Sequence, residues 1–192
     1  MNLQQLDTLF AQVASKHPVR AFVVIGSLSV LALIGKRPIP DAMTVSVEVD
    51  AYPESDPDRA FEIADDFGLG SEFEQEHGYY YDAVSPSLPT LPRGWQQRLI
   101  DHALPSGTLL RFIEPHDAAI SKYSRGEAKD LQWIRAGIDA GILSVPTLEY
   151  RCRETVFDSA AEAERVRAAI DHEAAKLGLD QTARAGKTRA RK

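Results

Sequence analysis

Ala21-Phe22-Val23-Val24-Ile25-Gly26-Ser27 is the stretch on which the fold turns. Its first five residues are apolar and rich in β-branched side chains, as in a buried strand, and the run stops at Gly26-Ser27. Leu28 to Ile34 then reads as a short helix. A glycine at a strand-to-helix seam lets a phosphate approach backbone N–H groups, and the Ser27 hydroxyl adds a donor. The same dipeptide also serves as an ordinary connection between a strand and a helix.

Upstream, Leu3, Leu6, Leu9, Phe10 and Val13 fall at helical spacing, so an amphipathic helix opens the chain and ends at His17-Pro18. Downstream, the two prolines of Lys36-Arg37-Pro38-Ile39-Pro40 mark a loop. From Thr44 to Tyr52 the pattern alternates. Val45, Val47 and Val49 are expected to pack, with Ser46, Glu48 and Asp50 on the opposite, polar face of the strand. A helix follows Asp56-Pro57, with Phe61, Ile63, Ala64 and Phe67 as its inward side chains. Tyr79 to Val84 and Leu109 to Ile113 read as two more strands, the latter the fourth of the chain, separated by a proline-punctuated loop through Pro92. From Glu114 the pattern is helical, with Pro115 at a first helical position and breaks at Gly126, Gly141 and Gly178. The expected organisation is an α/β core over residues 1–113, a helical part of the same unit over 114–178 and a disordered basic tail over 179–192.

The acid pair on the polar face of Ser46-Val47-Glu48-Val49-Asp50 carries the most chemistry. Two carboxylates two residues apart on a strand project on the same side, about 6–7 Å apart, and can share a divalent cation. Mg²⁺ or Mn²⁺ held there would neutralise phosphate charge in phosphoryl or nucleotidyl transfer. A solvent-facing polar stripe is the plainer account of such a pair. Asp82, on the Tyr79–Val84 strand, is a third acid available to hold metal or activate an incoming hydroxyl, or else a strand-end acid near a turn. Lys122 and Arg125, three apart on one helical face, are placed to hold a triphosphate, with Asp130 pairing to one of them; the alternative is a surface salt-bridge set. His77 and His116 lack a second histidine or cysteine at ligand spacing, and Tyr79, Tyr80 and Tyr81 read as sheet packing.

Composition bounds the remaining choices. At 192 residues, 44% hydrophobic, the chain has enough apolar residues for one sizeable core without staples. Cys152 is the only cysteine, so neither an intrachain disulfide nor a cysteine zinc site can form, which suits a cytoplasmic location. Ala21–Ile34, the most apolar stretch, falls short of the roughly 20 residues that span a bilayer. The N-terminus lacks the basic region and apolar run of a secretory signal. Net charge is −6, yet Arg184, Lys187, Arg189, Arg191 and Lys192 crowd the last nine residues, so the body is more acidic than the total. An acidic body argues against broad nucleic-acid binding; a basic tail can bind nucleic acid or an acidic partner, or be simply solvated.

Strand, Gly-Ser, helix, then a strand bearing Ser-x-acid-x-Asp resembles the nucleotidyltransferase superfamily, and more narrowly the DUF6036-type proteins related to the AbiEii-type nucleotidyltransferase toxins. Asp117-Ala118-Ala119-Ile120-Ser121-Lys122, followed by Arg125 and Lys129-Asp130, is similar to the downstream motifs of those families. The resemblance spans roughly residues 22–138. It implies an α+β, nucleotidyltransferase-like fold: a mixed β-sheet flanked by helices, with a helical C-terminal part. It further implies that Gly26 and Ser27 contact nucleotide phosphates, that Glu48 and Asp50 hold Mg²⁺, and that Lys122 and Asp130 complete the centre, with Asp82 as third acid. Two positions depart from the superfamily pattern: Glu48 stands where aspartate is usual, and Thr44 where relatives carry arginine.

The leading expectation is a metal-dependent nucleotidyltransferase moving a nucleoside monophosphate from NTP to a tRNA or protein acceptor, in a toxin-antitoxin or phage-defence setting. Such a setting implies a cognate antitoxin or toxin as partner. The rival, motivated by Glu48, is a catalytically silent module that binds nucleotide or a partner protein. A metal-dependent nuclease is a third reading.

Overall fold

The computed structural model describes residues 1–179 of the chain. The basic tail expected over 179–192 lies, beyond Leu179, outside the described residues.

The opening helix α1 (Leu3–Lys16) starts in a capping box, in which the Asn2 side chain accepts from Gln5 N–H and the Gln5 side chain returns the bond. It buries Leu6, Leu9, Phe10 and Val13. Strand β1 (Ala21–Val24) leads into a 3₁₀ helix over Gly26–Leu33, then a single α-helical turn, α2 (Asp41–Thr44). Strand β2 (Glu48–Pro53) follows, and two helices, α3 (Arg59–Phe67) and α4 (Glu72–His77), carry the chain over to β3 (Tyr80–Ala83). β3 runs parallel to β2, so a crossover of this length is required. A long connection containing a 3₁₀ turn at Trp95–Arg98 reaches β4 (Ile100–Ala103), which forms a hairpin with β5 (Leu109–Phe112).

The five strands form one mixed sheet in the order β3-β2-β1-β5-β4, with β1 antiparallel to β2 and parallel to β5. Phe10 of α1, Phe22 of β1 and Tyr81 of β3 meet in the core with ring centroids 4.6–6.4 Å apart. The Tyr81 hydroxyl donates to the Ala51 carbonyl at 2.7 Å, satisfying its one polar atom inside the core. Four helices complete the described residues: α5 (Pro115–Arg125), α6 (Ala128–Asp139), α7 (Val145–Arg153) and α8 (Ala160–Lys176). Here α5 packs on the 3₁₀ helix that follows β1, and α6 on α2. The helical part is thereby set directly against Gly26-Ser27. The architecture is the expected α+β one, a mixed sheet flanked by helices.

Several local expectations are corrected. Val45 and Val47 are not packed: they are 81% and 55% exposed, whereas Val49 is fully buried. The α2 turn runs through Thr44, and Ser46 N–H closes back onto the Thr44 carbonyl at 2.9 Å, so the strand begins only at Glu48. Phe61 is 58% exposed because α3 presents Ala60, Ile63 and Phe67 to the sheet, at the spacing of one helical face, and position 61 lies off it. Leu109–Phe112 is the fifth strand, since β4 precedes it as an edge strand too short and too polar to stand out. The single turn α2 and the short α4 carry too few apolar residues for periodicity to reveal them.

Candidate active site

Register makes the acid cluster. Parallel pairing of β2 with β3 sets Asp50 opposite Asp82 and Glu48 opposite Tyr80. Alternate residues share a face, so the three carboxylates project together while Val49 and Tyr81 go to the core on the other side. One oxygen of each of Glu48, Asp50 and Asp82 lies within 4.8 Å of the other two.

Gly26 is shaped to this cluster. Its φ is +69°, and a Cβ placed on it would sit 2.2 Å from Asp50 Oδ2. Any other residue would be strained in backbone and would collide with the carboxylate. Ile25 N–H donates to the Asp50 carbonyl at 2.9 Å, so the turn is pinned to the acid strand by backbone as well.

The acids are poorly compensated. Burial, then the charges of Asp82 and Glu48, push Asp50 up to about 6 against the opposing pull of Lys122 and Arg125. Asp82 is raised by burial and by Glu48, with a hydrogen bond to Asp50 opposing. The Tyr80 hydroxyl donates to Glu48 Oε1 at 3.2 Å, and its phenol is pushed up to about 12 by burial and by that carboxylate. Three converging hard oxygen donors, where the charges of Glu48 and Asp82 disfavour the ionisation of Asp50, suit a divalent cation such as Mg²⁺ or Mn²⁺, which would relieve that repulsion. The donor set therefore fits a metal.

Facing them, α5 and α6 supply a cationic wall. Lys122 is 4% exposed, and its Nζ donates to Ser27 Oγ at 2.9 Å and to Asp130 Oδ1 at 3.0 Å. Arg125 grips the same carboxylate with two hydrogen bonds, 2.7 Å to Oδ2 and 2.6 Å to Oδ1. Burial by itself would raise Asp130, yet the bonds from Arg125 and Lys122 more than offset it and hold its carboxyl below the usual range. Burial pulls the Lys122 ammonium down, and Asp130 partly restores it. Lys122 and Asp130 are thus a buried pair, not a surface salt-bridge set. Gly126, in the left-handed region with φ +74°, ends α5 and makes the turn into α6 that brings Asp130 back onto Lys122.

Some participants carry no sequence signal. Trp133 donates its indole N–H to the carbonyls of Ser27 and Met43, each at 3.1 Å, and lies 5.1 Å from the Lys122 ammonium. In sequence it is one more apolar residue of a helix. Tyr79 and Tyr81 are core side chains, as sheet packing requires, whereas Tyr80 turns to the acids. Ser46 faces its own strand: its hydroxyl donates to the Glu48 carbonyl at 3.0 Å and accepts from Glu48 N–H at 3.3 Å. Neither histidine joins the site. His116 is held by Glu114 at Nδ1 (2.7 Å) and by Ser144 N–H at Nε2 (2.9 Å), so both ring nitrogens are taken. His77 contacts the Gln12 side chain at 3.3 Å.

Two cavities flank the Asp50–Arg125 line. One, of about 320 Å³, lies over Gly26 and Lys122 and is bordered by Leu88, Leu91, Asp158 and Glu162. The other, of about 480 Å³, lies over Ser27, Glu48 and Lys129 and is bordered by Val45, Val47 and Trp133.

A mixed sheet that sets a Gly-Ser turn against an acid pair, with a third acid on the neighbouring strand and a helical part facing it, has a nucleotidyltransferase-like fold. The chain belongs to the family described as "Nucleotidyltransferase of unknown function (DUF6036)", whose model matches residues 1–176. No curated protein and no solved structure matches the chain. Among the described residues, no helix is long and apolar enough to cross a membrane.

Proposed function

We propose that the protein is a metal-dependent nucleotidyltransferase that moves a nucleoside monophosphate from an NTP to a hydroxyl of a tRNA or protein acceptor. The observation that carries the reading is the convergence of Glu48, Asp50 and Asp82 beside the Gly26 turn. A divalent cation held by those carboxylates would neutralise phosphate charge and polarise the bond that breaks. Ser27, already accepting from Lys122, keeps its own O–H to donate to a phosphate oxygen. Arg125, whose side chain is half exposed, is a cation within reach of a polyphosphate, and Asp130 fixes its direction. The acceptor hydroxyl oxygen attacks the α-phosphorus, the bond to the bridging oxygen of the β-phosphate breaks, and pyrophosphate leaves. Asp82, whose raised pKa suits it to receive a proton, takes the one lost by the hydroxyl. A toxin-antitoxin or phage-defence system, with a cognate antitoxin or toxin as partner, is the setting that the AbiEii-type resemblance suggests.

The test is incubation with each α-labelled NTP, Mg²⁺ or Mn²⁺, and total tRNA or cell protein. Label transferred by the native chain and lost in Asp50→Asn supports the reading; undiminished transfer by that variant overturns the metal site. A second reading, a catalytically silent nucleotide-binding or antitoxin-like module, is favoured by Glu48 in the first acid position with its carboxylate already engaged by Tyr80. It predicts NTP binding with no label on any acceptor.

A further inference from the structure

Val45 and Val47 are apolar side chains left in solvent at 81% and 55% exposure, beside the acid cluster and on the wall of the larger cavity. Their backbone is not loose. Ser46 is tied to Thr44 and Glu48, and the Val47 carbonyl accepts from Tyr80 N–H at 2.9 Å, so both valines are held in place without packing inside the molecule. An apolar strip held rigidly at a polar site is preorganised for a flat apolar group.

The charges choose between the two cavities. In the smaller one, Asp50, Asp158 and Glu162 outnumber Lys122 and Arg125, which opposes a polyphosphate. In the larger one, Glu48 and Asp50 are matched by Arg125 and Lys129, so it is the less acidic of the two, and a divalent cation held at Asp50, which lines both, leaves that order unchanged. Among the described residues, Lys129 is tied only to Glu127, at 3.5 Å on the surface, a contact that a phosphate can readily replace. The larger cavity also has half as much space again, about 480 Å³ against about 320 Å³.

We propose that the larger cavity holds the nucleotide, with its base lying against Val45 and Val47 and its phosphates directed to Ser27, Arg125 and Lys129. The assignment rests on the nucleotidyl-transfer reading and makes the two valines determinants of base affinity.

The experiment is calorimetric titration, with Mn²⁺ present, of the native chain, the double variant Val45→Ser/Val47→Ser and the variant Leu88→Ser from the smaller cavity. The ligands are each of the four NTPs and inorganic tripolyphosphate, which has the charge but no base. Because both valines are exposed, the double variant should melt at the native temperature. Its affinity for NTP is expected to fall about tenfold, from the lost apolar contact, with tripolyphosphate affinity held within twofold. Leu88→Ser is expected to bind NTP as the native chain does. Unchanged NTP affinity in the double variant overturns the proposal, as does an equal fall for NTP and tripolyphosphate, or a fall confined to Leu88→Ser. Native protein that binds neither ligand overturns the nucleotidyl-transfer reading itself.

Discussion

Two sets of buried or half-buried carboxylates stand in this molecule, on opposite terms with their surroundings. In the helical part, Asp130 meets Lys122 and Arg125, while Asp117, also fully buried, meets Arg98 at 2.8 Å and Arg151 at 2.9 Å. Each acid there has two cations. On the strands, Glu48, Asp50 and Asp82 meet chiefly one another. The helical acids hold elements together: Asp130 joins α5 to α6, and Asp117 ties α5 to α7 and to the connection before β4. Among the described residues, the strand acids form no ion pair that joins elements, and their repulsion costs stability. A protein retains such a cluster where a cation or a reaction uses it, which is why the strand set is the better functional candidate.

The comparison breaks first, and hardest, at Asp130. Asp130→Ala leaves Lys122 buried without its counter-charge and is expected to cost about 3–5 kcal/mol, chiefly from Lys122, since half-exposed Arg125 is screened by solvent. Urea unfolding measures this, and a loss below about 1 kcal/mol would deny the helical set its structural role.

Asp50→Asn should act in the opposite direction. Asp50 binds its proton more tightly folded, at about 6, than at its ordinary 3.8, so the folded state holds the extra proton between those values. Stability is therefore full below about pH 4 and falls as pH rises through about 6. Above that window, without metal, Asp50→Asn should be the more stable by up to about 3 kcal/mol, and the two proteins should converge in acid. Melting curves from pH 4 to 8 in chelator check the sign.

Divalent cation should remove that difference from the native side. Mn²⁺ at a hundred times its Kd should stabilise the native chain by about 2.7 kcal/mol, visible as a raised Tm, with little effect on Asp50→Asn. Equal shifts in both proteins would move the metal away from the strand acids.

The smallest effect is expected at the turn. Gly26→Ala places a methyl group against the Asp50 carboxylate in a left-handed backbone, at a cost of about 1–3 kcal/mol, and should weaken the Mn²⁺ response more than its stability loss alone accounts for. Unfolding and Mn²⁺ titration on the same variant separate the two.

Much of this was legible locally. The Ala21–Ile25 run, the Gly-Ser stop, the Glu48/Asp50 alternation and the helical pattern after Glu114 each follow from a few neighbouring residues, and each reappears in the structure. Alternation misled at Val45 and Val47, because a helical turn through Thr44 resets the phase before the strand begins. Tyr80 and Trp133 left no trace in sequence, since an aromatic residue in a strand or helix reads as core until its hydrogen-bond partner is known.

By itself, the sequence determined the order of the main elements, with α2, α4 and β4 the exceptions, and the identity of the acids, because backbone period and residue chemistry are local properties. Tertiary structure alone decided that β3 pairs parallel to β2 with Asp82 opposite Asp50, and that the Asp50 carboxylate lies against Gly26. It decided too that Lys122 is buried between Ser27 and Asp130. Strand register, close approach and burial depend on which distant segments meet, and those contacts assemble an acid cluster and its cationic wall from residues 48 to 130.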